Sequence, residues 1–121
     1  MKTDINNIDD IITMVDAFYV EVRKEAMLKR FFTQADGFDW DKHISIMYSF
    51  WENVLFSSGN YEGNPLEVHK RIQSRKPTRP VHFDRWLALF DSTVDRLFEG
   101  PNAEIAKQRA HGIAHVMMSK I

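Results

Sequence analysis

A chain of 121 residues has the size of one domain, and a hydrophobic fraction of 44% with 27% charged residues excludes disordered and collagen-like classes. A formal charge of -1 argues against a globally basic nucleic-acid binder, and the absence of cysteine excludes disulfides, thiolate zinc sites, cysteine-held iron–sulfur clusters and a cysteine nucleophile. No apolar run follows a basic start, and none approaches roughly 18 residues, so the expectation is a cytoplasmic chain, one domain over residues 1–121, with no nucleic-acid or membrane partner.

The first predicted helix covers residues 7–25. Ile8, Ile11, Ile12, Val15, Phe18, Tyr19 and Val22 recur at i, i+3, i+4 and i+7 and form one apolar stripe. Asp4 and Asn7 are candidate N-caps. Residues 26–32 carry Leu28, Phe31 and Phe32 ahead of a polar stretch. The second helix starts at Asp39 or Asp41 and runs to Phe56, with Ile44, Met47, Tyr48, Trp51 and Leu55 on one face. His43, Met47, Phe50 and Val54 form a second set at helical spacing, which places His43 at the margin of a wide apolar arc.

Ser57-Ser58-Gly59-Asn60 and Gly63-Asn64-Pro65 are a dense turn signal, and Pro65 opens a predicted short helix to Ile72. After Pro77-Thr78-Arg79-Pro80 the third long helix covers residues 81–99, with Phe83, Trp86, Leu87, Phe90, Val94, Leu97 and Phe98 on one side. Gly100-Pro101 ends it. The last helix spans residues 103–120, with Ala106, Ala110, Ile113, Ala114, Met117 and Ile121 facing inward. No segment alternates with period two for the length of a strand, so the class is all-α.

The residues carry few familiar catalytic signatures. His-Glu-x-x-His, the phosphate-cradling Gly-x-x-x-x-Gly-Lys and Gly-x-Ser-x-Gly are all absent, and no Glu-x-x-His pair could serve a di-iron bundle. His111 and His115, four apart, could share a metal, although two ligands are too few for structural zinc. His82 is expected to face solvent. His43 and His69 are placed where two helices could face each other across an aromatic-rich space. Lys70, Arg71, Arg75, Lys76, Arg79 and Arg85 form a basic run that reads either as a solvated loop or as an anion clamp for cofactor carboxylates. Nine Phe, three Trp and three Tyr suit a flat apolar ligand and equally an ordinary helical core.

Several stretches taken together resemble the group III truncated haemoglobins, a bacterial truncated globin family. They are Phe18-Tyr19 with Val22-Arg23, then Trp40-Asp41-Lys42-His43, then the run from Met47 to Leu55. Gly59-Asn60-Tyr61-Glu62-Gly63-Asn64-Pro65 leads to His69, and His82-Phe83-Asp84-Arg85-Trp86-Leu87-Ala88-Leu89-Phe90 follows. The resemblance extends from Ile8 to Ile121. It implies a shortened globin, a two-over-two helical sandwich around haem b, that is, iron protoporphyrin IX.

By the same resemblance, His69 is the proximal metal ligand. Tyr19 and Trp86 are distal hydrogen-bond donors, His43 is the distal-helix histidine, Met47 covers the iron on the ligand side, and Phe32 packs against the porphyrin. Arg75 and Arg79 are the candidate carboxylate contacts. His69 is followed by Lys70-Arg71-Ile72 where a Leu-Pro-type continuation is common in the family. The implied function is reversible binding of O2 or NO, with nitric oxide dioxygenation or peroxide reduction as slow redox activities that need an electron donor from outside the chain. A haem-based gas or redox sensor and a helical interaction protein without cofactor are the alternatives.

Overall fold

A computed structural model describes residues 2–29, 40–57 and 80–120, apart from the side chains at 27, 29, 40 and 117–120. Every element among them is helical: α1 (Ile8–Lys24), α2 (Ala26–Lys29), α3 (Trp40–Phe56), α4 (Pro80–Leu97) and α5 (Pro101–Lys120). The helix predicted from Pro65 lies outside the described residues.

Asn7 caps α1 as its position suggests. Its backbone is extended and its side-chain oxygen accepts the Asp10 N–H at 3.0 Å. Asp9 and Asp10 in the first turn and Arg23 and Lys24 in the last complement the helix dipole. Asp4 does something else. Its carboxylate reaches across the molecule to the start of α5, accepting the N–H groups of Asn102 at 3.0 Å and Ala103 at 2.9 Å as well as that of Ile5 at 2.8 Å. Burial alone would push this carboxyl upward, but the three backbone donors outweigh it and hold it below the usual carboxylate range. The helix it caps is therefore the last one, with Pro101 at the first helical position where no N–H is needed.

Gly100 makes that contact possible. Its φ of +148° suits glycine, and a Cβ there would come within 2.5 Å of Asp4 Cγ. Asn102 donates from its side chain to the Ile5 carbonyl at 2.7 Å, and Glu99 N–H donates to the Thr3 carbonyl at 3.0 Å.

The helices pack as two pairs, α1 with α3 and α4 with α5, joined through α1 against α4 and α3 against α5. The short link at Phe98–Gly100 turns α5 back onto α4. Ala103, Ala106, Ala110 and Ala114 are all buried, and this small-residue stripe lets α5 lie close to its neighbours. The core between the pairs is filled by Ile11, Met14, Val15, Phe18 and Val22 from α1, Trp51 from α3, and Phe83, Leu87, Phe90 and Val94 from α4.

Two sequence expectations change. Ile8 is 37% exposed, because at the first position of α1 it lies beyond the packed partners, and Ile5 just upstream is buried in the core instead. His82, expected at the surface, is only 7% exposed. α4 packs against α1, α2 and α5 together, so it buries a second stripe of His82, Leu89 and Thr93 beside the predicted one. Thr93 satisfies its hydroxyl there by donating to the Leu89 carbonyl at 2.8 Å. No described helix is long and apolar enough to cross a membrane.

Candidate functional site

The candidate site forms where α1, α3 and α4 meet, and its floor is aromatic. Phe18 from the middle of α1 meets Trp86 and Phe90 of α4 edge to face, at centroid separations of 5.4 and 5.2 Å. Phe90 is sandwiched in turn, stacking on Trp51 at 5.1 Å and on Trp86 at 5.9 Å. Such contacts add to burial and fix ring orientation, so the four side chains form a stiff wall rather than a loose apolar filling. Met47 is half-buried and packs against the same core from α3.

At the edge of this wall stand two polar side chains. Tyr19, one residue beyond Phe18, is buried, and its hydroxyl lies 2.9 Å from His43 Nε2 of α3. The rings also meet edge to face at 5.1 Å. Burial raises the Tyr19 phenol well above its ordinary value and lowers the His43 ring from 6.5 to about 4. At neutral pH both are therefore uncharged, and two arrangements of protons satisfy the pair. In one, the phenol donates to Nε2. In the other, Nε2–H donates to the phenol oxygen, which turns the phenolic hydrogen away from the ring and leaves it to serve another acceptor.

The neutral state of His43 gives stability a pH dependence of defined sign. The ring takes up a proton more readily in the unfolded chain than in the folded one, so stability is lost as pH falls from about 6.5 to about 4 and not further below. By pH 4.5 the loss is about 2–3 kcal/mol, and urea unfolding at pH 7 and pH 4.5 measures it. His43→Gln is expected to flatten that part of the profile; an unchanged profile would contradict the burial of the ring.

Tyr19 and His43 are thus brought together, and Trp86 joins them through Phe18. The indole N–H of Trp86 has no hydrogen-bond partner among the described residues. His69, Phe32, Arg75 and Arg79 lie outside the described residues. His111, set beside His115 in the sequence as half of a metal pair, is instead 2.7 Å from the Asp91 carboxylate on α4, and no group of three or more candidate ligands gathers among the described residues. Arg85 leaves the basic run to pair with Glu25 at 2.6 Å, tying α4 to the junction of α1 and α2.

Sequence spacing overlooked Asp16. It faces α3 one turn before Tyr19 and accepts the hydroxyl hydrogen of Tyr48. A polar residue three positions ahead of the site tyrosine, at the margin of an apolar stripe, was the available signal. The two line a groove of about 410 Å³ between α1 and α3, together with Tyr19, Arg23, Asp41 and Ser45.

The whole arrangement is a packed aromatic wall with a neutral, hydrogen-bonded polar pair at its edge, a chemistry that suits a flat apolar group carrying a small polar ligand. No family model matches the chain. Among individual proteins, it is 30% identical over 117 residues to the Group 3 truncated hemoglobin ctb of Campylobacter jejuni, covering 94% of this chain and 90% of the relative. The crystal structure of a group III truncated hemoglobin from Campylobacter jejuni superposes with a TM-score of 0.86 at 28% identity, covering 99% of this chain and 94% of that one. On identity sustained over nearly the full length and on a shared helical architecture, the chain belongs to the group III truncated haemoglobins.

Proposed function

We propose that this globin holds haem b and reversibly binds a diatomic gas, O2 or NO, at the corner formed by Tyr19, His43 and Trp86. The observation that carries the reading is the 2.9 Å contact between the buried Tyr19 hydroxyl and His43 Nε2 at the edge of an aromatic wall. The donor set suits haem: rings and a thioether to pack against a porphyrin face, and uncharged N–H and O–H groups at one corner. When bound, haem would supply an iron able to take a diatomic.

Each residue then has a separate role. His69 is the imidazole that would hold the iron, Phe32 and Met47 would pack against the macrocycle, and Arg75 and Arg79 would meet its carboxylates. Tyr19 and Trp86 donate hydrogen bonds to the gas. An indole can only donate, so Trp86 gives the pocket a fixed polarity, whereas the phenol of Tyr19 can either donate or accept. His43 decides between those roles. With its Nε2–H donated to the phenol oxygen, the phenolic hydrogen is released toward the ligand. A polarised diatomic accepting from these groups is stabilised by about 0.5–1.5 kcal/mol per bond, and by more if it carries charge.

Tyr19 is buried beside the aromatic wall, which limits the competition of water for its hydroxyl. Nitric oxide dioxygenation and peroxide reduction belong to the same site as slower reactions and draw electrons from outside the chain. The test begins with haemin. Mixed with the purified protein, it is expected to give an intense Soret band, and His69→Gly is expected to change that spectrum and its response to carbon monoxide. A chain that takes up no haemin, or a variant whose spectrum matches the parent, would overturn the reading.

A further inference from the structure

The groove between α1 and α3 holds a second pair of groups that gas binding does not use. Tyr48 donates its hydroxyl hydrogen to the Asp16 carboxylate, and Tyr19 lines the same groove from the side of the gas corner. Asp16, Arg23, Asp41 and Ser45 are exposed, so the groove opens to solvent. One turn along α3 from Tyr48 stands Trp51, which begins the stack through Phe90 to Trp86 at 5.1 and 5.9 Å. Tyr48 therefore shares a groove with Tyr19 and stands one helical turn from Trp51, so it lies close to the aromatic wall on two sides.

We infer that Tyr48 is a redox-active surface tyrosine through which a small hydroxylated reductant in this groove passes electrons to the pocket, with Asp16 holding the phenolic proton in the meantime. The inference rests on the haem reading and adds the place and chemical class of the electron donor. An oxidised phenol is strongly acidic, so a tyrosine gives up an electron readily only when a base already holds its O–H hydrogen. Asp16 is that base. Burial, followed by the bond to Asp16 and the nearness of its charge, pushes the Tyr48 phenol up to about 12, so it remains protonated until the electron leaves. Tyr19 differs in being buried and in pairing with the His43 imidazole at the gas corner rather than with an exposed carboxylate.

The step balances as follows. A peroxide is reduced in the pocket, its O–O bond breaking, and Tyr48 supplies one of the two electrons required. The Tyr48 O–H bond breaks as this electron leaves, and its proton passes to Asp16. A one-electron donor in the groove, of the hydroquinone or ene-diol class, then returns an electron to the phenoxyl oxygen, and the proton comes back from Asp16. Two rounds oxidise two donor molecules by one electron each. The two protons those donors release complete the conversion of the peroxide to two molecules of water, or of water and an alcohol. A groove of about 410 Å³ accommodates a single-ring donor, and Ser45, Arg23 and Asp41 offer hydrogen-bond partners for its hydroxyl groups.

The test uses haemin-loaded protein treated with hydrogen peroxide and a nitroso spin trap, followed by peptide mass spectrometry. In the parent protein the trap is expected on Tyr48, and hydroquinone is expected to suppress that adduct. Asp16→Asn, which keeps the shape but weakens the base, is expected to lower the Tyr48 adduct on the order of tenfold or more. A protein with a normal Soret band whose adducts lie only on other residues would overturn the inference and leave the gas-binding reading standing. So would an Asp16→Asn variant labelled as strongly as the parent. Failure to form a Soret band at all would overturn both.

Discussion

In the double variant Tyr19→Phe/Trp86→Phe, a diatomic gas is expected to leave the haem-loaded protein up to roughly a thousandfold faster than in the parent. Each change deletes one donor and keeps the ring. A hydrogen bond to a polarised acceptor in a dry pocket is worth about 1–2 kcal/mol, and 1.4 kcal/mol is about a factor of ten in rate when the loss falls on the dissociation step. The single variants should accordingly accelerate release by roughly tenfold each. They should also differ in character. Tyr19→Phe takes away the phenol that lies 2.9 Å from His43, so it alters two polar groups together. Trp86→Phe leaves an aromatic ring to face Phe18 and Phe90, so its effect is confined to the lost N–H. Stopped-flow displacement of oxygen by carbon monoxide measures all three. If neither single variant releases oxygen faster, the two side chains do not hold the ligand.

Phe90→Ala is expected to cost about 3–5 kcal/mol of stability, the range for removing a buried phenylalanine ring and leaving a cavity. Phe90 is 1% exposed and lies between Trp51 and Trp86 with Phe18 on its edge, so its removal leaves three rings without a shared neighbour. For a domain of this size the melting temperature should fall by roughly 10–20 °C. Thermal unfolding followed by circular dichroism checks this, with Val20→Ala as the control. Val20 is 47% exposed, and its truncation should stay within about 0.5 kcal/mol of the parent. Because the donor Trp86 stacks on Phe90, the same variant should also release gas faster, although Phe90 itself carries no hydrogen-bond donor. A Phe90→Ala protein as stable as the parent would mean that the aromatic wall contributes little beyond filling space.

Helical periodicity alone located four long helices because each carries an apolar stripe at regular spacing, and their limits fell within about two residues of those observed. What periodicity sees is one face of one helix. It placed Phe18, Trp51, Trp86 and Phe90 on apolar faces but could not show that they stack into one wall, since that depends on how α1, α3 and α4 cross. His82 was misread for the same reason: a helix held between three neighbours buries more than one stripe. Asp4 was read as a local cap because local capping is the commoner use of aspartate ahead of a helix. Its true partners are nearly a hundred positions away. The family resemblance puts Tyr19 and His43 on the same distal side, but the bond between them is legible only in the structure, as spacing gives no distance between the two helices. Asp16 stands at the margin of the apolar stripe, but its partner Tyr48 is visible only once α3 is laid against α1.

The clasp between Asp4 and the backbone of Asn102 and Ala103 bears on how the chain is made. It joins the segment before α1 to the first turn of α5, nearly a hundred positions on, so during synthesis this closure must wait until residue 103 has cleared the ribosome. Translation can set out α1 and α3 in advance, and a transcript broken before codon 103 would yield a protein with Asp4 unfastened.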